Sequence, residues 1–97
     1  MNMSALVIVD LTPINKDLLS DYSRQAVETL SQFGGEFIAK GLTESLHGEV
    51  QFEMKAVIQF PDDESARNWY QSEDYQKLIP IRERGMHSQF HLINRLK

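Results

Sequence analysis

The segment Ala5-Leu6-Val7-Ile8-Val9 carries apolar side chains on both sides of an extended chain, and the first polar residue after it is Asp10. Alternation puts Ala5, Val7, Val9 and Leu11 on one face, with Leu6, Ile8 and then Asp10 on the other. A strand of this kind belongs at the centre of a sheet, covered on both sides. The chain that must supply the cover has 97 residues. That length makes one domain, spanning 1–97. A chain this short buries only roughly 60–70 % of its unfolded surface. It has no Cys, so neither a disulfide nor a Cys-based zinc site staples it. Pairing with a second copy is a direct route to more core.

The remaining elements follow with short connections and clear punctuation. Pro13 ends the first strand, and Asn15 is placed to cap a helix whose first turn holds Asp17. Leu19, Tyr22, Ala26, Leu30 and Phe33 recur at helical spacing over about five turns. Gly34-Gly35 stops that helix, one of the two glycines taking the left-handed conformation. Glu36 to Thr43 reads as a second strand, with Gly41 suggesting a bulge. Phe52 to Phe60 alternates as a third, after turn chemistry at His47-Gly48-Glu49. Asp62 caps a second helix with Ala66, Trp69 and Tyr70 on its apolar face. Ser72 caps a further short helix that Pro80 bends or limits and Gly85 ends. Ser88 to Arg95 is the last strand. The order is βαββαβ, an α+β ferredoxin-like protomer in which the first and third strands are central.

In that plan both helices cover one face of the sheet and leave the other bare. Leu6, Ile8 and Val57 would then form an exposed apolar patch. Closing it against the same face of a second copy gives a dimeric α/β barrel, each buried Leu or Ile contributing roughly 1.5–3 kcal/mol. Asp10, Lys40, Gln59 and His91 are polar groups on strands that could line a space at the sheet face or dimer interface. A few polar groups in an apolar wall are the general character of a small-molecule site.

Phe33-Gly34-Gly35-Glu36-Phe37-Ile38-Ala39-Lys40-Gly41 resembles one segment of the family called domain of unknown function 1330. Phe60-Pro61-Asp62 with Ala66, Trp69-Tyr70, Ser72 and Tyr75 resembles another, and Arg82 falls where that family carries an arginine. The chain has Phe33 where Tyr is common, Lys40 where Arg is common, and Leu42 where a second glycine often stands. The family is similar to other dimeric α/β barrels, including cofactor-free monooxygenases and small isomerases. The resemblance implies a homodimer of ferredoxin-like protomers and no particular ligand.

Lys and Arg number 10 and Asp and Glu 14, a net charge of −4. That lacks the basic footprint of a nucleic-acid binder and of polybasic membrane docking. No apolar run reaches the ~18 residues of a membrane span, and Met1 to Ser4 carry no positive charge before an apolar stretch. A cytoplasmic protein is the expectation. His87 and His91 are four apart in a strand, which separates them by roughly 13 Å, too far to share a metal ion. No metal and no cofactor is expected. For chemistry, Asp10 and His91 are the candidates to move a proton. Lys40, Gln59, Trp69 and Arg82 are the candidates to hold a small, possibly anionic, organic ligand. Arg82 has a competing structural reading, an ion pair with Glu73, Asp74 or Asp10 that anchors its segment. Two functional classes stay open: a small-molecule site, with cofactor-independent oxidation or isomerisation if it is an enzyme, and a non-enzymatic dimeric interaction or ligand-sensing module.

Overall fold

The computed structural model describes residues 4–96. Met1 to Met3, on which the reading against a leader partly rests, lie outside the described residues. The chain runs β1 (Ala5–Pro13), α1 (Lys16–Leu30), a 3₁₀ turn (Ser31–Phe33), β2 (Glu36–Leu42) and β3 (Met54–Phe60), then α2 (Asp63–Gln71), α3 (Glu73–Gln76), α4 (Ile79–Gly85) and β4 (Met86–Asn94). The four strands form one antiparallel sheet in the order β2-β3-β1-β4. This is the ferredoxin-like α+β fold, with the two most apolar strands in the middle as expected.

Local chemistry sets the element ends. Asn15 Oδ1 accepts from the Leu18 amide at 3.1 Å, and Asp62 Oδ1 from the Ser65 amide at 2.7 Å. The Ser72 hydroxyl accepts from the Tyr75 amide at 3.2 Å and separates α2 from α3. Pro80 does not bend a continuous helix. It sits in the first turn of a separate one, α4, where its missing N–H is not needed. Gly34 takes the left-handed conformation at φ 72°. Its neighbour Pro61 lies where a Cβ would clash, at 2.7 Å. The bulge in β2 falls between Phe37 and Ala39 and not at Gly41. The third strand begins at Met54 and the fourth at Met86, slightly off the expected Phe52 and Ser88.

All the helices lie on one face. Val7, Val9 and Leu11 of β1 meet Ala56, Ile58 and Phe60 of β3 beneath Tyr22, Ala26 and Leu30 of α1 and Ala66 and Trp69 of α2. Trp69, Tyr75 and Phe60 are the largest fully buried side chains. The opposite face follows from the strand register: Leu6 opposite Gln59 and Ile93, Ile8 opposite Val57 and His91, Asp10 opposite Lys55 and Gln89. Among the described residues of the single protomer no helix lies over this face. Leu6, Ile8 and Val57 are half-buried and Ile93 is 51 % exposed. No helix among the described residues is long and apolar enough to cross a membrane.

Candidate functional site

Arg82 is the one charged side chain among the buried described residues, with 7 % of its surface exposed. The last turn of α4 aims it inward, beneath the aromatic face that α2 and α3 supply. Its partners are phenols. Nη1 donates to the Tyr70 hydroxyl at 2.9 Å and to the Tyr75 hydroxyl at 3.2 Å. The Tyr75 hydroxyl in turn shares a 2.6 Å hydrogen bond with that of Tyr22 on α1. The guanidinium carbon stands 4.9 Å from the Phe90 ring centre and 5.7 Å from that of Tyr70. Nε is buried without a hydrogen-bond partner among the described residues. The expected ion pair with Glu73, Asp74 or Asp10 is not what holds this residue. The nearest carboxylate is that of Glu83, whose oxygen lies 3.6 Å from Nε on an exposed side chain.

Burying an ion costs several kcal/mol. Against that stand two charge-assisted hydrogen bonds, about 1.5–3 kcal/mol each, and two aromatic faces at roughly 0.5–2 kcal/mol each. The cation is thus accommodated by neutral groups and keeps its positive charge. Burial pulls the Arg82 pKa down, but the hydroxyls of Tyr70 and Tyr75 more than reverse this and raise it. Burial pushes the Tyr22 and Tyr75 hydroxyls up from their ordinary range. For Tyr22 the neighbouring Tyr75 adds to the rise, while for Tyr75 the hydrogen bonds with Tyr22 and Arg82 partly offset it. All three groups therefore keep their ordinary protonation at neutral pH.

This cluster forms one wall of a cavity of about 450 Å³ between α2, α4 and β4. Trp69 and Tyr70 line it from α2, and Ser88, Phe90 and His91 from β4. A half-apolar cavity of this size with a few converging polar groups suits a small organic molecule. Tyr70 accepts from Arg82, which leaves its own proton free to donate towards the cavity. The indole of Trp69 is occupied elsewhere, donating to the Thr29 hydroxyl at 2.8 Å. His91 pairs with Ile8, the parity of the bare face, yet borders this cavity. Its strand is at the sheet edge, so the rim is open there.

The six candidates from sequence do not meet at one place. Arg82, Trp69 and His91 share this cavity. Asp10 lies on the bare face and pairs with Lys55 at 3.0 Å, beside a separate hollow under residues 49–52. Gln59 lies on the same bare face and accepts from Arg95 at 3.1 Å. Lys40 is on the helix side, opposite Ala56, at the rim of a second cavity. Tyr70, Tyr75, Tyr22 and Phe90 belong to the Arg82 cluster without having been singled out as site residues. Arg82 and the aromatic group Trp69, Tyr70 and Tyr75 are the signal in the sequence, but the hydroxyl link from Tyr75 to Tyr22 spans 53 residues. Among the described residues no group of three or more His, Asp or Glu is placed to hold a metal ion.

A four-stranded antiparallel sheet with helices on one side is shared by many proteins, and solved structures carry it with this connectivity. A protein of unknown function from Rhodopseudomonas palustris superposes with a TM-score of 0.81 at 12% identity, covering 100% of this chain and 85% of that one. SnoaB, a cofactor-independent oxygenase from Streptomyces nogalater, gives 0.71 at 8% identity, over 98% of this chain and 95% of its own. A dimeric ferredoxin-like protein of unknown function from Thermobifida fusca gives 0.65 at 12% identity, over 98% and 93%. At these identities the likeness is one of fold. The chain belongs to the DUF1330 family, a domain of unknown function, which it matches over residues 4–96. No curated protein matches it in sequence.

Proposed function

We propose that the protein binds a small organic anion with a flat apolar body in the Arg82 cavity, and does so as a homodimer. The observation that carries the reading is a buried guanidinium whose hydrogen-bond partners among the described residues are phenols, at the wall of a 450 Å³ cavity. A charge so placed has paid its desolvation and has only the exposed Glu83 carboxylate, 3.6 Å from Nε, as a counter-ion among the described residues, so an incoming carboxylate or enolate gains a strong partner. Phe90, Tyr70 and Trp69 supply the apolar wall for the body of the ligand, and Tyr70 a second hydrogen bond.

The test is calorimetric titration with benzoate, 3-phenylpropionate and acetate, beside Arg82→Met, which keeps the volume and removes the charge. The aromatic acids bind the native protein and lose at least tenfold in affinity in the folded variant. No heat with any of the acids, or equal affinity in the variant, removes the reading.

The fold shared with SnoaB supports a second reading, cofactor-independent oxygenation or isomerisation of the bound molecule. An enolate formed there would be held by Arg82, and Tyr70 or His91 would move its proton. Mass spectrometry of the recovered ligand after incubation in air detects added oxygen, and its proton NMR spectrum detects an isomerised skeleton of unchanged mass: a ligand unchanged by both leaves a binding or sensing module. On either reading Asp10, Lys55 and Gln59 act at the interface between copies and not at the ligand.

A further inference from the structure

The Arg82 cavity has a neighbour. A second cavity of about 130 Å³ lies between α1 and the sheet, walled by apolar side chains such as Val9, Ala26, Met54 and Ile58. Trp69 and Phe90 line both cavities and are therefore the partition between them. The two are held very differently. Trp69 is 1 % exposed, hydrogen-bonded to Thr29, and packed against Tyr75 and Phe60 with ring centres 4.3 and 5.4 Å away. Phe90 is half-buried on the edge strand β4 and has no polar atom to tether it. Its ring neighbours, Tyr70 at 5.9 Å and Tyr75 at 6.4 Å, are more distant. It is also the aromatic residue whose ring lies nearest the Arg82 cation.

We propose that Phe90 sets the length of the anion the protein accepts, by closing the second chamber to the ligand's tail. This deepens the Arg82 reading and rests on it. An acid whose head sits on Arg82 has the Phe90 ring beside it, and the space behind that ring is apolar. With the ring in place the ligand ends at the partition. With the ring removed, a tail carrying further methylenes enters the second chamber, each buried CH₂ adding roughly a factor of four in affinity. Phe90 is a specificity-determining residue and Trp69 the fixed part of the same wall.

The test is titration of the native protein, Phe90→Leu and Phe90→Ala with benzoate, 3-phenylpropionate and 5-phenylpentanoate. The native protein binds benzoate best and the longest acid worst. Phe90→Ala reverses that order, the longest acid gaining at least tenfold relative to benzoate, and Phe90→Leu falls between. The leucine variant keeps a core-sized side chain, so it reports even where the alanine variant fails to fold. An unchanged order in the variants, or a native preference for the longest acid, overturns the role of Phe90 while leaving Arg82 as the anion site. No binding of any acid by the native protein overturns both.

Discussion

Arg82, Tyr75 and Tyr22 form a hydrogen-bonded row from the cavity into the interior, and each member leans on the next. Tyr75 is its pivot, because its hydroxyl meets both Arg82 and Tyr22. Tyr75→Phe removes both bonds and strands a buried hydroxyl and part of a buried cation, a loss of about 2–3 kcal/mol. Tyr22→Phe removes one neutral bond and costs about 1 kcal/mol. Urea denaturation at neutral pH checks the order of the two. The same row gives an alkaline limit to stability. Burial holds both phenols above their ordinary pKa of 10.0, so the folded state keeps protons that the unfolded chain releases. Their contribution is fully present below about pH 10 and is lost as pH rises beyond it. Of unfolding midpoints at pH 8, 10 and 11, only that at pH 11 should fall, and by less in Tyr22→Phe. Arg82 itself was legible as a cation on the last helical segment. Its partners were not: Tyr75 is as near in the chain as Glu73 and Asp74, but opposite charge made the acids look like the natural counter-ions.

At the scale of elements, the contact between α1 and α4 rests on a missing side chain. The Gly85 carbonyl accepts from the Ile14 and Asn15 amides at 2.8 and 3.1 Å, tying the end of α4 to the start of α1. A Cβ on Gly85 would stand 3.0 Å from the Leu19 amide nitrogen and 3.2 Å from its Cα. Those are backbone atoms and cannot swing aside. Gly85→Ala should therefore push α1 away from α4 at a cost of about 1–3 kcal/mol, read as a lower melting temperature. Since α4 carries Arg82, the variant should also weaken acid binding. Element order and ends were readable from local chemistry: Pro13, Gly34, Asp62, Ser72 and Gly85 each act within a few residues. The face of Lys40 was not. Alternation continues until a residue is inserted, and the insertion after Phe37 resets the parity of everything beyond it in β2. Gly41 was the apparent bulge, yet the extra residue is Ile38, a β-branched residue with no local mark of irregularity. Candidates on either side of that bulge could not be assembled into one site from their spacing.

The whole molecule is a slab of 39 × 35 × 16 Å with helices on one broad side and strand residues on the other. The bare side is apolar at its centre, with Ile8 flanked by Val57 on one neighbouring strand and His91 on the other. Leu6 and Ile93 extend it along one row, and the Asp10–Lys55 pair at 3.0 Å sits in the next. A paired charge beside an apolar centre neutralises itself, so it can be covered without leaving an unpartnered ion. The proposed homodimer closes this face against its twin, and the comparison protein from Thermobifida fusca is described as dimeric. Substituting Ile8→Glu places an unpaired carboxylate at the centre of that contact, once in each copy, and like charges would face each other across the two-fold axis. Sedimentation at about ten micromolar should find the native chain at twice its 11.2 kDa mass and the variant at one. Lys16→Glu, an exposed change on α1, should leave the dimer intact. The monomeric variant should also melt lower, because Leu6 and Val57 lose their cover, roughly 1.5–3 kcal/mol each at full coverage, and the apolar surface of Ile8 is gone. A native chain that sediments as a folded monomer, or an Ile8→Glu chain that stays paired, would remove the dimer while leaving the Arg82 cavity, which is built within one protomer, unaffected.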